Sequence, residues 1–219
     1  MITDHFPPLG LRLTTPRLEL RIPSFDDLGQ LAEVAVEGVH DPDTMPFVVP
    51  WTDQPPDELA LGVVQHNLGV LASWKPRDWG LNLVVVHEGA VVGVQDMRAR
   101  DFAVTRQVGT GSWLGRAHQG RGIGTEMRAA VLHLAFEGLG AVAAVSSVFE
   151  GNTASERVCE RLGYRGNGFD LIEVRGERVV KNHYRLTRRD WAEHRTVPVT
   201  VTGLEPCLPF FGLDGSGAG

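Results

Sequence analysis

Gln119-Gly120-Arg121-Gly122-Ile123-Gly124-Thr125 sets three glycines within five residues, between a strand candidate closing at Ser112 to Gly115 and a helical pattern over Gly122 to Gly138. Met127, Val131, Leu134 and Ala135 fall on one side of that helix. A strand-to-helix turn of this kind has a physical use. Without side chains, backbone N–H groups approach an anion closely, and the helix behind them adds its unsatisfied first-turn N–H groups and its positive dipole end. Thr125 adds a hydroxyl donor in the same turn. No Gly-Lys-Ser/Thr follows, so the loop is not a P-loop. Its alternate glycines also miss the Gly-x-Gly-x-x-Gly spacing of dinucleotide sites. The plainer alternative is a tight turn whose glycines serve backbone geometry alone.

Working outward, Leu11 to Ile22 suggests one strand, stopped by Pro23, after which Ser24, Asp26 and Asp27 supply helix-start chemistry. Leu28, Leu31, Val34 and Ala35 make the apolar face of a first helix, and a second runs from Asp57 to about Trp74. The proline-rich loop between them carries Met45, Phe47 and Trp51, which either pack on the core or wall a substrate pocket. Leu81 to His87 and Ala90 to Met97 form a hairpin about Glu88-Gly89. Beyond the glycine loop, Ala141 to Val148 is nearly continuous in apolar residues, as in a strand buried on both faces. Asn152 to Leu162 is a helix closed by Gly163. Phe169 to Val174 and Val179 to Leu186 form a last hairpin, Trp191 belongs to a short helix, and Thr196 to Thr202 offers one more strand. The order is that of a mixed α/β (α+β) domain, not of strict strand–helix alternation. We place the domain at residues 1–195, with a C-terminal extension over 196–219, packed on it or partly disordered and ending in the low-complexity run Gly215 to Gly219.

The chain has 219 residues, 42% of them apolar and 22% charged, which is enough to bury a sizeable core. A formal net charge of −6 argues against general nucleic-acid binding. No apolar run approaches the roughly 20 residues of a membrane span, and the start, Met1-Ile2-Thr3-Asp4-His5, is no secretory signal. Cys159 and Cys207 form neither a metal spacing nor a redox pair. The expected location is the cytoplasm, with no membrane and no nucleic acid as partner.

Gln119-x-x-Gly122-x-Gly124 matches the Gln/Arg-x-x-Gly-x-Gly/Ala signature of GNAT acyltransferases, and its flanks resemble the RimJ/RimL branch, which acylates protein N-termini and small amines. Leu13-Thr14-Thr15-Pro16-Arg17-Leu18 is similar to that branch's opening strand and Gly111-Ser112-Trp113-Leu114-Gly115 to its central strand. Asn152-Thr153-Ala154-Ser155 through Leu162-Gly163-Tyr164 is similar to its Asn-x-x-Ser…Leu-Gly-Tyr/Phe helix. The resemblance implies a twisted, mixed but mainly antiparallel sheet flanked by helices, splayed between the strand near 108–115 and the next near 141–148. It implies acyl transfer from acyl-CoA, acetyl-CoA by default, to a primary amine by direct attack in a ternary complex, without a metal and commonly in a homodimer or higher homo-oligomer. The sequence also resembles an actinobacterial subgroup that includes succinyl-CoA users. An N-succinyltransferase and a non-catalytic acyl-CoA sensor are therefore the alternatives.

By the same resemblance, backbone groups of Trp113 and Leu114 hold the donor and polarise its thioester. The backbone of Gln119, Gly120, Arg121, Gly122, Ile123, Gly124 and Thr125 binds pyrophosphate, Asn152 meets the pantetheine arm, and Ser155 donates to the leaving thiolate. Asn152 equally suits a helix N-cap, Ser155 a close-packing position, and the Arg121 side chain plain solvation. For the general base, Asp96, Asp101, His118 and Glu150 stand near strand ends. Glu150 and Asp101 join Ser155 as the catalytic candidates, although each also fits a solvated turn, and a water chain is an alternative base. A succinyl carboxylate would need a cationic partner, for which Arg98, Arg100 and Arg106 are available. Met45, Phe47, Trp51 and Phe169 suggest a partly apolar acceptor side, and the acid balance would suit a cationic amine.

Overall fold

Alternation decides which side of each strand is buried. Leu81, Leu83 and Val85 project into one hydrophobic core, and Val84 and Val86 into a second on the opposite face of the same strand. The computed structural model describes residues 1–213. Its strands are β1 (Arg12–Thr14), β2 (Leu18–Arg21), β3 (Asp78–His87), β4 (Ala90–Arg100), β5 (Gln107–Leu114), β6 (Ala143–Phe149), β7 (Arg165–Val174), β8 (Glu177–Thr187) and β9 (Thr200–Thr202). They form one sheet in the order β7-β8-β6-β5-β4-β3-β2-β1-β9. The helices are α1 (Ile2–His5), α2 (Phe25–Glu37), α3 (Pro56–Ala72), α4 (Phe102–Thr105), α5 (Ile123–His133, continued by a π turn over Leu134–Gly138), α6 (Thr153–Arg161) and α7 (Arg188–His194). Ile123, Met127, Ala130 and Val131 of α5 and Cys159 of α6 fill the larger core. Leu31 and Ala35 of α2 with Leu59 and Val63 of α3 cover the other face.

The local signals behave as their chemistry requires. Ser24 and Asp27 exchange hydrogen bonds of 3.1 and 2.9 Å in a capping box at the start of α2. Asn152 caps α6, its Oδ1 accepting from the Ser155 N–H at 3.2 Å. The stretch expected as one strand over Leu11 to Ile22 is instead the hairpin β1–β2. Thr15 causes the break: its Oγ1 accepts from the Leu18 N–H at 3.0 Å, beside Pro16, which has no N–H to give a ladder. The short α4 was not expected and lies between two left-handed residues, Asp101 and Arg106. Past residue 195, β9 pairs with β1, and Cys207 and Phe211 enter the larger core. Gly215 to Gly219 lie outside the described residues.

All strand pairs are antiparallel except β5 with β6. That parallel pairing covers only Gln107↔Ala143, Val108↔Ala144 and Gly109↔Val145. β5 then stays with β4 as far as Leu114, and β6 stays with β8 as far as Phe149. The two strands therefore part after Gly109 and Val145, and the splay expected near 108–115 and 141–148 is present.

α5 is fixed beside this cleft by Glu126. Its buried carboxylate accepts from Thr15 Oγ1 at 2.6 Å, Arg17 N at 3.1 Å and Arg17 Nε at 2.7 Å, and pairs with Arg17 Nη2 at 2.6 Å. Burial opposes its charge, but the hydrogen bonds from Thr15 and Arg17 outweigh that and hold the carboxyl below its ordinary value. We expect Glu126→Ala to destabilise the protein by about 2–3 kcal/mol, since it strips partners from Thr15 and a half-exposed Arg17. A depressed folded pKa means the stabilisation is complete above the unfolded carboxyl value, about 4.3, and is lost as pH falls through the lower folded value. Urea midpoints of wild type and variant should therefore converge from neutral pH toward pH of about 3; a gap that stays constant would refute this account.

Candidate active site

On the face toward α5, Thr110 and Ser112 of β5 and Ser146 of β6 point at one guanidinium. Arg128, only 3% exposed, donates from Nη1 to Thr110 Oγ1 (3.1 Å) and Ser146 Oγ (3.2 Å), from Nη2 to Ser112 Oγ (2.9 Å) and from Nε to Gln95 Oε1 (3.2 Å). The cation thus ties β4, β5 and β6 together where the last two diverge. All four of these acceptors are neutral.

The glycine loop leads from β5 into α5. Gly120 and Gly122 have φ of +72° and +79°, a region that costs other residues strain. Gly124 does not, and a Cβ there would only reach ordinary contact with Val158 of α6 and Leu114, so it keeps the gap between the two helices open. The Gln119 side chain turns inward, its Nε2 donating to Val39 O (2.6 Å) and Leu114 O (2.9 Å). Arg17 Nη1 donates to Arg121 O at 3.1 Å. Among the described residues, no protein acceptor meets the backbone N–H groups of residues 120–125. Free donors at a helix start are an arrangement able to receive an anion.

On the other face lie Gly109, Gly111 and Trp113 of β5, with Val145 and Ser147 of β6. Trp113 packs on Trp51 (ring centroids 5.6 Å apart), and Trp51 on Phe47 (5.1 Å). Of the two roles expected of them, Phe47 and Trp51 fill the first: they pack on the core under α2 and α3, beside Trp113. A Cβ on Gly111 would sit 2.4 Å from Asp96 Oδ2, so the Asp96 carboxyl occupies the space a side chain would need. Burial pushes the Asp96 carboxyl up, against the opposing charges of Arg98 and Arg128. Across the cleft, Arg175 at the tip of the β7–β8 hairpin donates from Nε to Asp53 Oδ2 at 2.8 Å. One ion pair thereby straps the β6–β8–β7 wall to the loop that packs on Trp113.

A family model described as an acetyltransferase (GNAT) domain matches residues 17–165, more than half of the chain. The chain belongs to the GNAT acetyltransferase family. Solved GNAT structures share the fold. A GCN5-related N-acetyltransferase from Brucella melitensis superposes with a TM-score of 0.66 at 18% identity, over 84% of this chain and 81% of that one. RimL, the ribosomal L7/L12 alpha-N-protein acetyltransferase in complex with coenzyme A, gives 0.62 at 18%, over 79% and 95%. The microcin C7 self-immunity acetyltransferase MccE, in complex with acetyl-CoA and AMP, gives 0.62 at 16%, over 78% and 93%. At these identities the likeness is one of fold alone.

In this GNAT chain Trp113 and Leu114 lie on β5 past the parting, the loop Gln119 to Thr125 leads from β5 to α5, and Asn152 and Ser155 stand at the start of α6, which follows β6. The Ser155 hydroxyl is half-buried, while its N–H is taken by Asn152. Glu150 is exposed at the rim, following β6, its N–H donating to Val180 O. Asp101 is not brought to the cleft. It lies past the end of β4, beside the closed part of the β5–β6 pair, bound to Arg77 at 2.7 Å. Position after the hairpin in the chain does not place a residue at the open end of an antiparallel strand. Arg100 pairs with Asp78 and Arg106 donates to Leu139 O, both at that same closed end. Arg98 alone of the three stays on the face of Gly109 and Gly111, 3.4 Å from Asp96 Oδ1. His118 borders a cavity of about 300 Å³ beside Gly38 and Gly115, its buried Nδ1 without a partner among the described residues. Arg128 was missed because an arginine beside an apolar helix stripe suggests solvent. The usable signal was the run of inward hydroxyls, Thr110, Ser112 and Ser146.

Gly111→Ala should cost about 1–3 kcal/mol, because the methyl group displaces Asp96. Adding Asp96→Ala should recover part of that loss, a coupling between neighbours that thermal unfolding of the two single variants and the double variant would read. Strict additivity would mean that Asp96 does not occupy this space.

Proposed function

We propose that this chain transfers an acetyl group from acetyl-CoA to a primary amine by direct attack in a ternary complex. The observation that carries the reading is the row of free N–H groups over residues 120–125 at the head of α5, beside the parting of β5 and β6. RimL and MccE, which share the fold, are described with CoA and with acetyl-CoA. In this reading the loop N–H groups and the helix dipole bind the pyrophosphate. The pantetheine arm passes between α5 and α6, by Gly124 and Asn152. The thioester lies against the backbone of Trp113 and Leu114, whose polar groups stabilise the oxyanion as nitrogen adds. Ser155 donates to the departing thiolate. The ionised Asp96 carboxylate, whose proton affinity burial raises, takes the proton of the attacking nitrogen in preference to Glu150 at the rim. The acceptor approaches from the face of Trp113, Trp51 and Phe47.

A second reading, a succinyl donor, is favoured by one observation: Arg98 stands beside Asp96, with its stem over Gly109, where the carboxylate of a longer acyl chain would find a cation.

Calorimetric titration with acetyl-CoA and succinyl-CoA tests both. We expect both to bind, and a preference of tenfold, about 1.4 kcal/mol, names the donor; binding of neither sinks both readings. Ser155→Ala should lower turnover by about tenfold or more while leaving donor affinity intact. Unchanged turnover would return Ser155 to a packing role. Release of free thiol from acetyl-CoA on adding an amine panel separates an enzyme from a non-catalytic sensor.

A further inference from the structure

Three residues on three strands form a hydrogen-bonded chain that the transfer step above does not use. Ser147 of β6 and His183 of β8 are cross-strand partners, with Ser147 Oγ 2.9 Å from His183 Nδ1. His183 Nε2 lies 2.8 Å from Asp170 Oδ2 of β7, and Lys181 Nζ approaches the same oxygen at 3.5 Å. An ionised carboxylate only accepts, so Nε2 carries the ring proton and Nδ1 accepts from the serine hydroxyl. The His183 hydrogen bond holds the Asp170 carboxyl below its ordinary value, in keeping with an ionised partner.

The chain has a direction. Ser147 comes two residues after Val145, the last residue of β6 paired to β5, so it lies on the opened wall. Its neighbour Ser146 faces Arg128; Ser147 therefore faces the other way, toward the side of Gly111, Trp113 and Asp96. At the far end Asp170 is 54% exposed, with His183 at 28% between them. Ser147, itself exposed, stands on the opened wall, and the far end of the chain is a carboxylate in water.

Proton balance gives such a chain a task. A primary alkyl ammonium, with a pKa of about 10, must shed one proton before it can attack and a second as the amide forms. The second balances the thiolate, which leaves as CoA thiol, and the first must reach solvent. We propose that Ser147, His183 and Asp170 form the relay that deprotonates the incoming ammonium and exports its proton to water. The ammonium gives a proton to Ser147 Oγ as the hydroxyl proton passes to His183 Nδ1. The imidazolium then passes its Nε2 proton through the exposed Asp170 carboxylate to water, and exchange with water returns the ring to its Nε2–H tautomer before the next turnover. The groups facing His183 are Ser147 from β6, Asp170 from β7, and Lys181 and Arg185 from its own strand.

This rests on the acyl-transfer reading, and the test keeps the two apart. The full-length chain, with Ser147→Ala, Ser147→Thr, His183→Gln and Asp96→Asn variants, is assayed with acetyl-CoA and lysine, spermidine or an unblocked Ser-initiated peptide between about pH 6.5 and about pH 9.5. For His183→Gln and Ser147→Ala we expect kcat/KM for the amine to fall by about 100-fold near neutral pH. The deficit should shrink as pH rises and the amine deprotonates unaided, with acetyl-CoA affinity unchanged. Ser147→Thr keeps the hydroxyl and should keep most of the activity, whereas Asp96→Asn should be impaired across the whole range. A His183→Gln variant that matches wild type, or is impaired equally at every pH, overturns the relay and leaves acyl transfer standing. A wild-type protein that acylates none of the three amines overturns both.

Discussion

Arg128 spends its hydrogen bonds on three adjacent strands, and the cleft depends on that choice. A guanidinium taken out of water carries a desolvation cost that only well-placed acceptors offset. Here the acceptors are Gln95 of β4, Thr110 and Ser112 of β5 and Ser146 of β6. The β5–β6 ladder stops after three residue pairs, and side-chain bonds succeed it, Ser146 Oγ donating to Thr110 O at 3.3 Å. β5 and β6 part without leaving the sheet because each keeps an antiparallel partner on its outer side. Period-two alternation then divides the chemistry. Hydroxyls bonded to Arg128 face α5, while Gly109, Gly111 and Trp113 face α2 and α3.

A second restraint sets the angle at which α5 meets this cleft. Glu126 joins its first turn to the β1–β2 turn, and Arg17 reaches from there to the Arg121 carbonyl. Gln119 holds the other end of the loop through Leu114 O and Val39 O. Between these ties the loop leaves its N–H groups without protein acceptors. Left-handed backbone at Gly120 and Gly122 lets the chain turn here with little strain. Carbonyls and side chains hold the loop and, among the described residues, its N–H groups stay without protein acceptors, which suits the phosphate-type ligand proposed.

This division explains what could be read from the sequence. The glycine loop, the capped helices and the later hairpins rest on local or periodic signals, and they were legible; the splay was expected from the family resemblance alone. The break at Thr15 was not, because a strand-like run of apolar residues conceals a turn made by one hydroxyl. Arg128 and Glu126 look like solvent-facing charges on a helix until the tertiary partners Ser146 and Thr15 are known. Asp101 looked well placed because it follows the β3–β4 hairpin, yet strand direction carries it to the closed end. Ser147, Asp170 and His183 lie on three strands with no spacing to link them, so only strand register brings them together.

The same physics separates the two sides of the proposed reaction. Donor binding is assigned to backbone N–H groups and a helix terminus, whose geometry follows from glycine placement and therefore leaves a motif. The acceptor side is made of side chains from segments far apart in sequence: Trp51 and Asp53 from a loop, Asp96 from β4, Ser147 from β6, His183 from β8 and Arg175 from a hairpin tip. The Asp53–Arg175 pair joins two of these segments with both side chains partly exposed, so its contribution is small and screened by salt. Acceptor choice then depends on the set of side chains and on how the loop and hairpin lie against each other. No short motif encodes either, which is why the fold leaves a readable pattern here while the acyl group and the amine must be found by assay.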